Sequence, residues 1–430
     1  MKMSEDIAMD TDRLSETLQL MGRKARAAAG ELACATTHQK NGALLAVARD
    51  LQSAVPAILA ANALDVSRAE SHELSAAMVD RLRLTPERIE KMADEVRNVS
   101  DLPDPVGTTL NRWRRPNGME ITKVRVPIGV VGIIYESRPN VTCDAAVLCL
   151  KTGNTCILRG GSEAVESNRA IAEVIRKSIA SCGLPADAVQ LVSSTDRSAV
   201  ALLAKMDRYI DMIVPRGGHA LIEAVVENAR MPVIKHYHGV CHVYLDETAD
   251  SKMAEAIVVN AKCQRPGTCN AAETLLVHQA VADALLPKIG EALSQNGVEL
   301  RGDEATRKIL GATCHEATEA DWWEEYLDLI LSIKIVADMD EAIRHINHYG
   351  SHHSDAIITR DEHAAERFLR EVDSAAVYWN ASTRFTDGGE FGFGAEIGIS
   401  TDKLHARGPM GLEELTTYKY TVRGEGQVRE

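Results

Sequence analysis

Short apolar runs alternate with amphipathic segments of helical length from Gly129 onward, and this alternation limits what the chain can fold into. Runs with the length of a buried strand occur at residues 130–134, 155–158, 189–192, 210–214 and 242–245. Between the second and third runs, Ile171, Ile175 and Ile179 recur at the spacing of one helix face. Strands joined by helices in this order form a doubly wound parallel sheet. The sequence therefore predicts an α/β fold.

A second series of the same kind begins near Ala254. Its predicted strands are residues 273–277, 331–337, 355–359 and 376–380. A chain of 430 residues is too long for one ordinary core and long enough for two large domains plus an accessory element. Its apolar volume comes mostly from aliphatic residues, which suits parallel sheets covered by helices. We therefore expect two α/β domains.

Segments with other residue patterns lie before and after these two series. Residues from about 15 to 97 follow helical spacing, and Pro103 and Pro105 end the pattern. Residues 110–126 alternate apolar and polar side chains around a Pro-Asn-Gly turn, which indicates a hairpin, and residues 416–422 alternate in the same manner. We expect these ribbons to pair and to leave an exposed edge that recruits a second subunit, giving a homo-oligomer.

The net charge of −14 restricts the partners of the chain. A strongly acidic chain repels phosphate backbones, so we expect no nucleic acid partner, whereas an anionic substrate is compatible with basic residues gathered in a site. The sequence has neither a signal peptide nor a run near the roughly 18 apolar residues of a membrane helix, so we expect no membrane contact. Nine cysteines without a repeated C-x-x-C spacing favour reduced thiols in the cytoplasm.

Two glycine-rich turns lie where a predicted strand is followed by a helix. They are Arg159-Gly160-Gly161-Ser162 and Arg216-Gly217-Gly218. Helix N-termini present N–H groups and a positive dipole end to anions. The G-x-G-x-x-G fingerprint is absent from the chain, and glycine at such a turn often reflects turn geometry alone. Because each turn also carries an arginine, the sequence favours an anionic cofactor at these turns.

Cys269 is the cysteine with the most suggestive surroundings. It follows the Pro266-Gly267 step and precedes the predicted strand 273–277, which places its thiol on a turn that enters a strand. A free cysteine is more often a small buried hydrophobe, and a nucleophilic one needs a partner or a lowered pKa. From the residues alone, both interpretations stay open.

The histidines are interpreted as structural. His236, His238 and His242 form an H-x-H-x3-H pattern that resembles a metal site, and they share one face if the segment is a strand. Gly239 interrupts that run, and no flanking carboxylate or thiol completes a ligand set, so we expect no metal. We expect the other histidines in question, His345, His348 and the pair His352-His353, to lie at the surface.

The most specific segments are residues 125–142 (RVPIGVVGIIYESRPNVT), 151–154 (KTGN), 158–161 (LRGG), 264–271 (QRPGTCNA), 321–322 (DW) and 378–385 (YWNASTRF). In these segments the chain resembles the aldehyde dehydrogenase superfamily, and within it the enzymes that reduce an acyl phosphate, from about residue 27 to 424. The resemblance implies two doubly wound parallel-sheet domains plus a small β oligomerisation element. The implied domains are an NADP-binding domain (1–108 and 127–253), a catalytic domain (254–410) and the oligomerisation element (109–126 and 411–430).

The resemblance also implies a reaction: the NADPH-dependent reduction of L-glutamyl 5-phosphate to L-glutamate 5-semialdehyde and phosphate, the second step of proline biosynthesis from glutamate. Cys269 would attack the acyl carbon and form a thioester, while the side chain of Asn140 and the N–H of Cys269 hold the developing oxyanion. The two glycine-rich turns would hold the cofactor, with Glu325 at the position of the ribose-binding Glu. The glutamate 5-kinase that makes the acyl phosphate is a candidate partner.

Two departures from the wider superfamily refine this implication. His236-Tyr237-His238-Gly239 replaces the Glu-Leu-Gly-Gly segment whose Glu activates water, which fits an enzyme that protects its thioester from hydrolysis. Arg159 replaces a cofactor-contacting Lys, and a guanidinium matches a ribose 2′-phosphate, so NADPH is favoured over NADH. Candidates for binding the substrate, from charge and motif position, are Arg138, Arg265, Thr383 and Arg384.

Three alternatives stay open at this stage. Cys263, six residues before Cys269, is either a bystander, as we expect, or a resolving thiol. A second alternative is a thiol-dependent acyltransferase or hydrolase, in which Cys269 forms an acyl-enzyme but no hydride is transferred. The arginines of the two glycine-rich turns disfavour it. A non-catalytic oligomeric scaffold that has kept the fold is the third alternative.

Overall fold

The computed structural model describes the backbone of residues 2–429 and, outside residues 2–11 and 77, their side chains. Contacts divide the chain into two compact units. The first comprises the chain up to Lys235 together with Phe393–Gly398 and the chain from Met410 onward. The second comprises His236–Gly392 and Ile399–Pro409.

The α-helices are α1 (Lys2–Leu32), α2 (Thr37–Ser53), α3 (Val55–Ser71), α4 (Ala76–Leu82), α5 (Pro86–Asp101), α6 (Asn140–Lys151), α7 (Val165–Ser181), α8 (Ser198–Leu203), α9 (His219–Asn228), α10 (Ser251–Cys263), α11 (Gln279–Gln295), α12 (Glu304–Leu310), α13 (Met339–Tyr349) and α14 (Glu362–Glu371). The strands are β1 (Thr109–Arg114), β2 (Glu120–Pro127), β3 (Val130–Tyr135), β4 (Thr155–Arg159), β5 (Val189–Leu191), β6 (Met212–Arg216), β7 (Cys241–Leu245), β8 (Ala272–His278), β9 (Glu299–Gly302), β10 (Cys314–Glu316), β11 (Ile330–Val336), β12 (Ser354–Ile358), β13 (Ala376–Trp379), β14 (Ile399–Ser400), β15 (Gly408–Pro409) and β16 (Thr416–Arg423).

The first unit is built on a four-stranded parallel sheet in the order β5-β4-β3-β6. Every residue of β3 and β4 is buried, as expected for strands covered on both faces by helices. The core beside this sheet joins Leu18 of α1 to Val130, Ile157 and Ile213 on three strands. The predicted α/β fold is confirmed, and so are the strands expected at 130–134, 155–158 and 189–192.

Helices α1 to α5 confirm the helical interpretation of the N-terminal segment, with breaks that local chemistry explains. Thr36 precedes α2 and forms a capping box. Its side chain accepts the backbone N–H of Gln39, and the side-chain oxygen of Gln39 accepts the backbone N–H of Thr36. Thr85 caps α5 just before Pro86, which suits the first helical turn. A buried ion pair between Lys40 and Asp104, 2.6 Å apart, fixes the chain where the helical stretch ends.

The predicted hairpin and the C-terminal ribbon pair as expected. They form a three-stranded antiparallel sheet in the order β1-β2-β16, with Thr416 opposite Pro127 and Arg423 opposite Glu120. Tyr418, Tyr420 and Val422 of the outer strand are exposed. An edge strand with large exposed side chains is therefore present, as the sequence predicts.

The second unit is built on a seven-stranded sheet in the order β10-β9-β11-β8-β7-β12-β13, with all neighbours parallel. The four strands predicted for this part are confirmed as β8, β11, β12 and β13. The expectation that residues 242–245 complete the first sheet was wrong, because β7 pairs with β8 and β12. The compact units accordingly part at Lys235, before the boundary that we expected at residue 253.

Among the described residues, no single helix has both the length and the apolar composition to cross a membrane. Helices α2 and α3 reach that length and composition only as a pair, across a bend of 68°.

Candidate active site

Cys269 lies in the loop that joins α10 to β8 in the second unit, and its residue is half-buried. Two residues on the segment that leads into β7, Gly239 and Cys241, contact the backbone of this loop. A β-carbon added to Gly239 would lie 1.9 Å from the carbonyl oxygen of Cys269, so only glycine fits at this contact. The Cys241 thiol donates to the same carbonyl oxygen at 3.2 Å. Both contacts restrain the backbone of Cys269, so the turn is a rigid support for its thiol.

Asn270 ties this loop to the segment after β13. Its buried side-chain amide donates to the carbonyl oxygens of Thr386 at 2.9 Å and Arg384 at 3.3 Å. In return, the Thr383 hydroxyl donates to the carbonyl oxygen of Asn270 at 2.7 Å. The predicted substrate-binding residues Thr383 and Arg384 are therefore brought beside Cys269, and Thr383 serves the loop structurally.

Two arginines gather at the thiol. Arg384 donates from Nε to the side-chain oxygen of Gln264 at 2.9 Å. Burial lowers the pKa of Arg384, the neighbouring charge of Arg265 lowers it further, and Cys269 acts in the opposite direction. The sequence predicted Arg265 and Arg384 as substrate-binding candidates. Arg265 lies on the loop of Cys269, and Arg384 is near enough for its charge to interact with both Arg265 and Cys269.

His236 and His353 approach Cys269 in the same unit. The three residues each offer one ligand atom within 4.8 Å of the other two, and the imidazole rings pack edge to face with centroids 5.6 Å apart. His353 is fully buried, and burial, followed by the proximity of His236, lowers its pKa to about 3. The imidazole of His353 is therefore neutral near pH 7 and adds no charge to the thiol.

Some expectations about the histidines were wrong. His345 and His353 are buried rather than at the surface, because each packs against other rings. Residues 236–240 do not form a strand, so the H-x-H-x3-H pattern does not share a strand face. His242 is buried on β7 with Nδ1 at 3.0 Å from an oxygen of Asp355.

Glu325 lies beside His238 in the second unit, with 3.6 Å between its Oε2 and Nδ1 of the imidazole. Burial raises the pKa of Glu325, and hydrogen bonding from the N–H of Gly239 and the proximity of His238 act against that rise. The carboxyl of Glu325 thus supports the segment that contacts Cys269. Nearby, a fully buried ion pair joins Lys262 to Glu273 at 2.6 Å at the root of the same loop.

In the first unit, Arg159 ends β4 with its guanidinium largely buried. It donates weakly from Nη2 to the carbonyl oxygens of Thr195 and Asp196, each at 3.4 Å, and its Nε has no hydrogen-bond partner among the described residues. A pocket opens beside it. The pocket is lined by Gly160, Gly161, Ser162, Val165, Asn168, Leu191, Val192, Ser194 and Thr195. A buried guanidinium with unused donor capacity at a pocket fits an anion such as a phosphate.

The second glycine-rich turn is already engaged by a carboxylate of the first unit. The N–H of Gly218 donates to Oε2 of Glu136 at 2.9 Å, and a β-carbon on Gly217 would lie 2.4 Å from the same oxygen. Arg216 ends β6 beside these residues. The turn therefore binds an internal anion in the place where the sequence suggested a cofactor phosphate.

Asn140 begins α6, and its exposed side chain donates to Oδ2 of Asp144 at 2.8 Å. Burial, followed by the proximity of Glu95, raises the pKa of Asp144 to about 7. Arg138 lies exposed in the turn before the helix, where its carbonyl oxygen accepts the N–H of Val141 at 3.0 Å. Both residues lie in the segment that most resembles the superfamily.

Two structural contributors escaped prediction. Gly239 was interpreted only as an interruption, and its contact with Cys269 depends on a fold that the sequence does not display. His353 was expected at the surface. Its position directly before the buried strand β12 was the available signal. By contrast, Lys151 and Asn154 of the resemblance motifs are structural, since Lys151 donates to the Ser100 carbonyl and Asn154 to that of Leu415.

Comparison with known proteins identifies the family of the chain. The sequence pattern of the aldehyde dehydrogenase family matches residues 7–329, which is most of the chain. The chain belongs to the aldehyde dehydrogenase family. It is accordingly an oxidoreductase of a family that uses a nicotinamide cofactor.

Within the aldehyde dehydrogenase family, the chain is similar to proteins named gamma-glutamyl phosphate reductase. The gamma-glutamyl phosphate reductase of Moorella thermoacetica is 56% identical over 413 residues, which cover 96% of this chain and 99% of that protein. The crystal structure of gamma-glutamyl phosphate reductase from Thermotoga maritima has a TM-score of 0.95 and 50% identity, covering 96% of this chain and 100% of that one. An engineered glycolyl-CoA reductase with bound NADP+ shares the fold, with a TM-score of 0.65 and 18% identity over 94% of this chain and 96% of that one.

Proposed function

We propose that this member of the aldehyde dehydrogenase family reduces L-glutamyl 5-phosphate to L-glutamate 5-semialdehyde and phosphate with NADPH, through a thioester on Cys269. The observation that carries the proposal is the half-buried Cys269 on a loop that Gly239 and Cys241 restrain, within reach of the charge of Arg384. The names of relatives 56% identical over nearly the whole chain support this substrate and, with it, the proposed role in proline biosynthesis.

The first step forms the thioester. The sulfur of Cys269 bonds to the acyl carbon, the bond from that carbon to the phosphate oxygen breaks, and phosphate leaves with the electron pair. Arg265 and Arg384 carry positive charge close to the thiol, where they attract a phosphate or a carboxylate. Asn140 is proposed as the side-chain donor to the oxyanion, an assignment that rests on the resemblance. Such a donor contributes about 3–4 kcal/mol in the transition state of related acyl transfers.

The second step releases the aldehyde. A nicotinamide cofactor held in the first unit would supply the hydride that reduces the acyl carbon, and the thiohemiacetal left on Cys269 would then release the aldehyde and the thiolate. The chain must protect the thioester from water before this happens. His236 stands where oxidising members of the superfamily have a water-activating Glu, and its Nδ1 lies 3.0 Å from the carbonyl oxygen of Ile399. Nδ1–H donation to that carbonyl would hold the imidazole ring in position where other members carry a carboxylate base.

The residues of the first unit fit the cofactor. The pocket next to Arg159 is lined by Gly160, Gly161 and Ser162, and the guanidinium of Arg159, whose two hydrogen bonds from Nη2 are long, is the cation that we propose for a 2′-phosphate. We therefore propose NADPH over NADH, with Gly160, Gly161 and Ser162 at the phosphates. Arg216, Gly217 and Gly218 are a weaker candidate, because Glu136 already accepts the N–H of Gly218. Glu325 is kept as the proposed ribose contact.

We propose further that the first unit carries the cofactor, the second carries the nucleophile, and the antiparallel sheet joins subunits. Exposed Tyr418, Tyr420 and Val422 on the edge strand β16 support a homo-oligomer. Nine free cysteines support a reducing compartment, the cytoplasm. Contact with the glutamate 5-kinase would shorten the path of a reactive acyl phosphate. Arg138 is proposed with Arg265 and Arg384 for the charged groups of the substrate.

The experiment that tests the function is the reverse reaction, in which NADP oxidises glutamate semialdehyde and phosphate accepts the acyl group. We expect an absorbance rise at about 340 nm, the maximum of the reduced nicotinamide, that requires phosphate. Cys269→Ala abolishes that rise, whereas Cys263→Ala, a thiol six residues away, keeps it. A thiol-dependent hydrolase or acyltransferase would give no phosphate-dependent rise, and a scaffold would give none under any condition. A Cys269→Ala variant that kept the activity would contradict the mechanism.

A further inference from the structure

One cluster in the second unit has a chemistry that the proposed reaction does not use in full. His236, Cys269 and His353 each place one nitrogen or sulfur atom within 4.8 Å of the other two. Two imidazoles and a thiolate are the ligands that zinc prefers, and three protein ligands with one open position are typical of accessible zinc sites. In such a site, bonds of about 2.0–2.3 Å bring the ligand atoms to roughly 3.5 Å from one another. Side-chain movement of about 1 Å therefore closes the cluster on an ion.

Outer contacts hold both imidazoles in orientations that suit a ligand. Nδ1 of His236 lies 3.0 Å from the carbonyl oxygen of Ile399, which can only accept, so its lone pair is placed on Nε2. Nδ1 of His353 lies 2.8 Å from the hydroxyl of Ser354, and Nε2 of this fully buried ring has no hydrogen-bond partner among the described residues. A carbonyl or hydroxyl behind a ring nitrogen is the usual outer shell of a metal-binding histidine.

We propose that His236, Cys269 and His353 form a binding site for a thiophilic divalent cation such as zinc, and that the bound ion switches the enzyme off by capturing the Cys269 sulfur. On binding, the thiol of Cys269 loses its proton to solvent and the sulfur donates an electron pair to the ion, with no oxidation. The inhibitory part of this inference rests on the proposed function, whereas the binding part does not. The charge of Arg384 near Cys269 repels a dication, which makes the site reversible rather than a permanent structural centre.

The test uses the full-length protein and cobalt alone as the probe. Thiolate coordination of Co²⁺ gives a charge-transfer absorption in the near ultraviolet, and we expect one equivalent to produce it and zinc to remove it. Cys269→Ala abolishes the band. His353→Asn and His236→Asn each weaken binding by more than the roughly 10–100-fold that loss of an outer-shell partner costs, and Ser354→Ala falls within that range. Circular dichroism and the unfolding transition establish that each variant is folded.

Matched controls separate this site from general thiol or imidazole binding. His363→Asn removes an exposed histidine of α14, and Cys263→Ala removes the neighbouring thiol. Both should keep the band at full strength. Zinc should also slow alkylation of Cys269 by iodoacetamide at least tenfold, read peptide by peptide by mass spectrometry, while exposed Cys34 stays reactive. A cobalt band that survives Cys269→Ala, or that is unchanged in both histidine variants, overturns the proposal even if the reductase activity is established.

Discussion

The backbone of Gly239 lies directly against the backbone of Cys269, so closely that a β-carbon on Gly239 would fall 1.9 Å from the Cys269 carbonyl oxygen and 2.5 Å from its Cα. The segment that the superfamily resemblance matches to the one with the water-activating Glu thus also supports the loop of the proposed nucleophile. Any side chain at residue 239 must displace the loop that carries the thiol.

Gly239→Ala is therefore expected to lower kcat by about 100-fold or more, because a displacement of about 1 Å at a reacting group has an effect of that size. Gly267→Ala is the control in the same loop, since a β-carbon there meets nothing closer than 3.6 Å. The measurement is steady-state kinetics of the two variants, with their unfolding transitions compared. Equal activity of the two variants would show that the contact does not position the thiol.

Asn270→Ala should loosen the loop and destabilise the second unit. It removes the donors to the carbonyl oxygens of Thr386 and Arg384 in a buried place, and an unsatisfied buried acceptor costs about 1–3 kcal/mol. Urea unfolding measures the loss. Asn296→Ala, which removes an exposed bond to the Ala292 carbonyl, should change the free energy of unfolding much less. A similar loss in both variants would contradict the anchoring role of Asn270.

His345 is expected to make the protein less stable in acid. Burial, together with the proximity of His242, Lys334 and His348, lowers its pKa to about 2. The folded state therefore binds fewer protons than the unfolded state, whose imidazole has a pKa near 6.5. The stabilising effect of the neutral ring is complete above pH 6.5 and is lost as the pH falls from 6.5 toward 2, by about 1.4 kcal/mol per pH unit.

His345→Leu tests this relation. Neither ring nitrogen of His345 has a hydrogen-bond partner among the described residues, so an apolar side chain loses no hydrogen bond. The free energy of unfolding, measured in urea at pH 7.5, 6.5 and 5.5, should fall less steeply with acid in this variant, while the exposed His363→Asn follows the wild type. An unchanged slope in His345→Leu would mean that this ring does not titrate on unfolding.

Arg159→Gln should shift the choice of cofactor. The lost guanidinium is expected to raise the KM for NADPH by roughly 10–100-fold, the range for loss of a charge-assisted contact to a phosphate, and to leave the KM for NADH nearly unchanged. Arg169→Gln, an exposed arginine of α7 that pairs with Glu166, is the control. Parallel loss with both cofactors would instead assign Arg159 to the fold of the loop.

The sequence was most informative where periodicity decides the structure. The buried strands and the ribbon pairing of β2 with β16 followed from apolar runs and alternation. The short strands β9 and β10 were not predicted, because they have only four and three residues and most of these are polar. An apolar run also does not state which sheet it joins. β7 pairs in the second sheet, where the N–H of His242 donates to Asp355 of β12, a partner more than a hundred residues away.

The site was predictable only in part, for a similar reason. Cys269, Arg265, Thr383 and Arg384 were found from their motifs, and the structure brings them together. His353 and Gly239 contribute through contacts with residues distant in the sequence, which composition and spacing do not reveal. The contact of the Glu136 carboxylate with the second glycine-rich turn is another of this kind. Because Glu136 accepts the N–H of Gly218, that turn is a weaker candidate for a cofactor phosphate.

The central claim is that the acyl group passes through the sulfur of Cys269. The most direct test mixes the protein with glutamate semialdehyde and NADP without phosphate, quenches in acid and analyses the peptides by mass spectrometry. We predict a glutamyl adduct on the peptide that contains Cys269, which disappears when phosphate is added before the quench. Phosphate-dependent turnover without any adduct, or an adduct of equal yield in Cys269→Ala, would contradict the account.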